Sequence, residues 1–106
     1  MPEEHCVLIV LQFPKGKLDE REALDAVFEL EHILSEVIEL AKVGRCDGNE
    51  FCESPDESSV TFFIFGSDAD KIYESISPIL AKLPSLPGSY VLKQYNDKDV
   101  GEQIFL

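Results

Sequence analysis

Two short runs of this chain are apolar at almost every position: Cys6 to Phe13, CVLIVLQF, and Val60 to Phe65, VTFFIF. Runs this short, rich in β-branched and aromatic residues, read as strands. Apolarity at both odd and even positions means that both faces of each strand are covered, which places the pair inside a sheet. Pro14-Lys15-Gly16 ends the first run and Gly66-Ser67-Asp68 the second. The segment after each strand indicates which element covers it.

After the first run, Ala23, Val27, Leu30, Leu34, Val37 and Ala41 recur at helical spacing, and Leu24, Ile33 and Ile38 broaden that face. The spacing predicts a helix over 20–41, about 33 Å long at 1.5 Å per residue. Asp19 is the expected N-cap, with Glu20 and Glu22 at the positive end of the helix dipole. After the second run, Ser67 or Asp68 can cap a helix from Ala69 whose buried face is Ile72, Ile76, Ile79, Leu80 and Leu83. Pro78 lacks the N–H for its i−4 bond, so it should kink or restart that helix.

The remaining segments are weaker. Lys42 to Cys46 reads as a short strand, Asp47-Gly48-Asn49 as a turn, and 47–59 as an acidic loop in which Glu50-Phe51-Cys52 offers a strand extension. Tyr90 to Tyr95 reads as a strand broken in apolarity by Lys93 and Gln94. Pro84 to Gly88 is a loop and Asn96 to Gly101 a linker. Ile104-Phe105-Leu106 ends the chain as an added strand or a docked tail.

The order is β-α-β-β-α-β. It resembles the split βαβ, or ferredoxin-like, arrangement, in which the first and third strands are central. Here those two are the most apolar. The expected fold is therefore an α+β two-layer sandwich, an antiparallel four-stranded sheet with two helices on one face. With 106 residues, 44% of them apolar, a single domain over 1–106 is expected, with its core in 5–95 and a C-terminal tail at 96–106. The likeness is architectural and brings no functional residues with it.

Both helices on one face leave the other face bare. Alternation divides the central strands into Cys6, Leu8 and Val10 against Val7, Ile9 and Leu11, and into Val60, Phe62 and Ile64 against Thr61, Phe63 and Phe65. Whichever set meets the helices, the other leaves apolar groups on the open side, where a second copy, the chain's own tail or loop, or a ligand would cover them. Phe63 and Phe65 superficially suggest the aromatics of an RNA-binding domain. The basic residue and glycine that should precede them are replaced by Ser58-Ser59-Val60-Thr61.

Charge excludes more than it identifies. The chain carries 21 acidic against 9 basic side chains, a net charge of −12. Nucleic-acid and anionic-membrane surfaces bind through Lys and Arg, so neither is an expected partner. No apolar run is long enough to span a bilayer. Met1-Pro2-Glu3-Glu4-His5 lacks the basic segment of a secretory signal. Three cysteines, Cys6, Cys46 and Cys52, with no CxxC, fit a reduced cytoplasmic setting, and Cys6 is expected in the core.

Along the first helix Glu22, Asp25, Glu29, His32, Glu36 and Glu39 are separated by alternating steps of three and four residues. That alternation keeps them on one helical face as an acidic stripe. Such a stripe solubilises, and it also suits a basic protein partner. Inhibitors of nucleases, including immunity-type proteins, use this charge logic. The expected function is a non-enzymatic interaction or inhibitor module. The alternative is a dimeric small-molecule-binding regulatory domain, with Lys15 and Lys17, the densest positive spot, bordering the ligand.

Other chemistries fail on residue inventory. Glu29-x-x-His32 is half of a di-metal motif, and the second helix offers no matching half. From Asp47 the calcium-loop pattern fails at Phe51, Cys52 and Ser58. With His5 and His32 the only histidines, no nucleophile–base pair is apparent, and no phosphate-binding glycine motif occurs. Neither a metal nor a cofactor is expected.

Overall fold

The computed structural model describes residues 4–82, 88–95 and 101–106. Strand β1 (His5–Pro14) leads through a 3-10 turn (Lys17–Asp19) into α1 (Arg21–Ala41). Strands β2 (Arg45–Glu53) and β3 (Glu57–Gly66) form a hairpin. Next come α2 (Ala69–Leu80), β4 (Tyr90–Gln94) and β5 (Glu102–Phe105). The fold is α+β, with two helices and a five-stranded antiparallel sheet in the order β2-β3-β1-β4-β5.

The two apolar runs are interior strands, as their composition requires. Register pairs Val7 with Ile64, Ile9 with Phe62 and Leu11 with Val60, and sets Ile9 beside Val91 of β4. This alternation set is essentially inaccessible to solvent. It packs against Val27, Leu30, Leu34 and Ile38 of α1 and Ala69, Ile72, Ile76 and Leu80 of α2 in one core cluster. Both helices therefore lie against the same side of the sheet. The opposite set, Cys6, Leu8, Thr61, Phe63, Phe65 and Leu92, is half-buried on the other side.

Four expectations are corrected. The sheet has five strands, not four, because the C-terminal tail pairs with β4 from Glu102↔Lys93 to Phe105↔Tyr90. Asp47-Gly48-Asn49 is no turn and 47–59 no loop. Residues 47–53 run inside β2 and 57–59 inside β3; within β2 the register slips between Cys46 and Asn49, and Gly48 adopts φ 89°. A glycine at positive φ within a paired strand is what a bulge uses. The hairpin closes instead at Ser54, whose N–H donates to the Glu57 carbonyl at 2.8 Å and whose Oγ accepts from the Glu57 N–H at 3.1 Å.

The third correction concerns the start of α1. Asp19 closes the preceding 3-10 turn, and Glu20 occupies the N-cap without a side-chain cap bond. Fourth, Cys6 is not core; it lies half-buried on the open side, opposite Phe65 and Gln94. The second helix starts as expected, with Asp68 accepting from the N–H groups of Asp70 at 3.0 Å and Lys71 at 3.3 Å. It runs through Pro78 to Leu80. Leu83, most of the 84–88 loop and most of the 96–101 linker lie outside the described residues.

Candidate functional site: an acidic surface with an aromatic pair

Charge is unevenly spread along the chain. Residues 15–57 hold thirteen of the 21 acidic and five of the nine basic side chains, so this stretch carries −8 of the net −12. It folds as the 3-10 turn, α1 and β2, with the turn into β3. Helix α1 lies along β2, tied by Asn49 Nδ2 donating to Glu31 Oε2. Helix α1 alone, with six acidic side chains against Arg21, carries −5 of that −8.

The periodicity that buries Val27, Leu30, Leu34 and Ile38 turns the stripe away from the core. Glu22, Asp25, Glu29, His32, Glu36 and Glu39 are all exposed. Three of the six make side-chain contacts along the helix: His32 Nε2 lies 3.3 Å from Glu36 Oε1, and Asp25 lies 3.9 Å from Arg21. The basic residues nearby are engaged within the chain. Lys15 Nζ donates to the Ser54 carbonyl at 2.9 Å and lies 3.9 Å from Glu53, and Lys17 reaches Glu20 at 2.7 Å. Lys15 and Lys17 thus brace the hairpin and the entry to α1.

The sequence reading missed the aromatic part of this surface. Phe28 is 51% exposed and Phe51 41% exposed, with ring centroids 6.4 Å apart in an edge-on contact. Phe28 comes three residues after Asp25 and four before His32, so it flanks the stripe on the side towards β2. Phe51 stands on β2 between Glu50 and Glu53. Beside the pair lies a shallow notch of about 270 Å³, lined by Leu18, Asp19, Leu24, Phe51, Cys52 and Glu53. The signal was available in the sequence: Phe28 is an aromatic off the buried period of its own helix.

A second polar cluster also escaped the sequence reading. Lys93 lies on the helix-facing side of β4 with its side chain only 9% exposed. Its Nζ donates to Asp70 Oδ1 at 3.0 Å and lies 2.9 Å from Glu102 Oε2, above the Tyr73 ring at 5.2 Å. Tyr95 Oη donates to the same Asp70 oxygen at 2.8 Å. His5 Nδ1 accepts from the Ala69 N–H at 3.0 Å, and its ring stands edge-on to Tyr95. Burial alone would favour the neutral amine, but the bonds to Glu102, Asp70 and Tyr95 outweigh it and hold Lys93 as an ammonium. An amine held in that form is neither nucleophile nor base. It ties β5 and the start of α2 to β4.

The Asp70 carboxyl is held below the usual carboxylate range by its bonds to Lys93 and Tyr95. A depressed folded pKa contributes stability above the unfolded value, near 3.9 for Asp, and that contribution is lost as pH falls through the folded value. Melting followed by circular dichroism should therefore show a falling Tm below about pH 4. In Asp70→Asn that acid limb should be shallower, from a lower starting Tm at neutral pH. An unchanged acid limb would remove this role from Asp70.

Two of the three thiols, Cys6 and Cys46, are poorly suited to nucleophilic chemistry. Burial, then the charges of Glu31 and Glu39, push the Cys46 thiol up to about 11, and burial raises that of Cys6. Cys46 and Cys52 lie at separate points along β2, against Ile64 and Ser59 respectively. Among the described residues no three His, Cys, Asp or Glu side chains converge on one point, and no helix is long and apolar enough to cross a membrane. Comparison with protein-family models, with curated proteins and with solved structures finds no match to this chain.

Proposed function

We propose that the chain is a non-enzymatic interaction module that receives a basic, partly apolar protein segment across α1 and β2. The observation that carries this reading is the exposed Phe28–Phe51 pair, set beside a notch in the most acidic part of the chain. An acidic face alone is explained by solubility. Two exposed aromatic rings in contact are not, since they cost hydrophobic free energy until something covers them. Aromatic anchors within a charged rim are what affinity and on-rate respectively ask of an interface. An inhibitor role of the immunity kind is one form this activity takes. The fold reading that goes with it is a ferredoxin-like sandwich extended by β5, supported by the β2-β3-β1-β4 order of its first four strands. Three free thiols suit a reducing cytoplasmic setting.

The test is a calorimetric titration with an amphipathic helical peptide bearing Lys and Arg on one face and Leu and Phe on the other. Binding in the micromolar range is expected at low salt, weakening as salt rises. The Glu29→Gln, Glu36→Gln, Glu39→Gln variant should bind more weakly and with a flatter salt dependence. Equal binding by variant and wild type would remove the stripe from the interface.

A further inference from the structure

The open side of the sheet differs from the rest of the molecule. Its middle is formed by cross-strand rows: Phe63, Leu8 and Leu92 in one, and Thr61, Val10, Tyr90 and Phe105 in the next. Phe65, Cys6 and Gln94 form a third. None of these carries a charge. Charged groups on this side, among the described residues, are confined to the rim: Arg45, Glu50 and Glu57 by register, and Glu4, which pairs with Arg45. They sum to −2 in a chain of net −12. Among the described residues no helix packs here, and Phe105 at the corner is 69% exposed.

We propose that a second copy of this chain covers the open sheet face, as an isologous, sheet-on-sheet dimer. Charge decides the occupant. A basic partner is drawn to the acidic stripe of α1 and finds little to pair with on this face. A copy of the chain, itself at −12, is repelled everywhere except where charge is absent. Stacking sheets about 10 Å apart leaves a helix layer about 11 Å thick on each outer side, so the acidic stripes lie at least about 30 Å apart. That is roughly four Debye lengths at physiological salt, and their repulsion is screened. Any contact through the helices would press the stripes together.

Area sets the strength. Five strands about 4.8 Å apart, the ten-residue β1 and β3 offering the most side chains to this face and the four-residue β5 the fewest, present roughly 600 Å² per copy. The total of about 1,200 Å² lies at the lower end of specific interfaces, so a micromolar, reversible dimer is expected and not an obligate one. Because it uses the opposite face from the aromatic pair, this dimer and the partner reading can fail independently.

Sedimentation equilibrium from micromolar to millimolar protein tests it, at low and high salt. Wild type should dimerise, and more tightly as salt rises, because salt screens like charges; binding of a basic partner responds in the opposite sense. Leu8→Lys, which puts an ammonium at the centre, should raise the dimer Kd about tenfold or more. Phe105→Lys, at an exposed position where folding is not at stake, should weaken it in the same direction and decides the matter if Leu8→Lys does not fold. A wild type that stays monomeric to millimolar concentration overturns the proposal. So does a dimer that both substitutions leave unchanged.

Discussion

Phe62→Ala is expected to destabilise this protein by about 3–5 kcal/mol, the cost of deleting a fully enclosed phenyl ring and leaving its cavity. Phe62 lies at the centre of the core, paired with Ile9 of β1 and Asn49 of β2, and is completely inaccessible to solvent. No other fully buried side chain is larger. Core neighbours such as Ile9, Leu34 and Ile76 are held in place by three strands and two helices, so little collapse into the hole is available. For a domain of about 100 residues each kcal/mol moves Tm by about 4–8 °C, so the variant should melt roughly 15–30 °C lower. A loss of only a few degrees would mean that the two layers are not held together by the β1–β3 ridge.

Phe28→Ala with Phe51→Ala should give the reverse pattern. Both rings are about half in water, so removing them costs about 1 kcal/mol or less of stability. Binding of the amphipathic basic peptide should weaken about 100-fold or more, since anchors in an interface are commonly worth about 2 kcal/mol each. The contrast with Phe62 is the informative part. Three phenylalanines lie within 35 residues of one another in sequence, 28, 51 and 62. On this account one is needed for the fold, and the other two are expected to matter only when a partner is present. A double variant that melts far below wild type would make the Phe28–Phe51 contact a structural one. A double variant that binds as tightly as wild type would remove the aromatic pair from the interface.

Much of the architecture was legible because long periodic segments leave few alternatives. Both central strands, both helices and β4 follow from alternation or helical spacing, and Asp68 was readable as a cap. What escaped depends on contacts far apart in sequence. Asp47-Gly48-Asn49 has turn chemistry, yet pairing with β3 carries the strand through it and Gly48 absorbs the misfit as a bulge. β5 is four residues long and begins Glu102-Gln103, so short and polar that the sequence left an added strand and a docked tail both open, and its place is set by β4 and Lys93.

The candidate surface was half legible for the same reason. The stripe is a local pattern on one helix. The aromatic pair exists only because α1 lies along β2 and brings Phe28 to Phe51 across 23 positions of sequence. Lys93 read as an interruption of an apolar strand. Its partners come from α2 and from a terminal segment that the sequence left open between an added strand and a docked tail, so nothing local marked it as a tie.

The most direct measurement is a backbone amide shift titration of the wild-type protein with the amphipathic basic peptide. A control peptide would carry the same charge with Ser in place of its Leu and Phe. The predicted result is saturable shifts centred on Leu24, Phe28, Glu29, His32, Phe51 and Glu53, much reduced with the control. Equal shifts from both peptides, or shifts centred on Leu8, Phe63 and Leu92 across the open sheet, would contradict it.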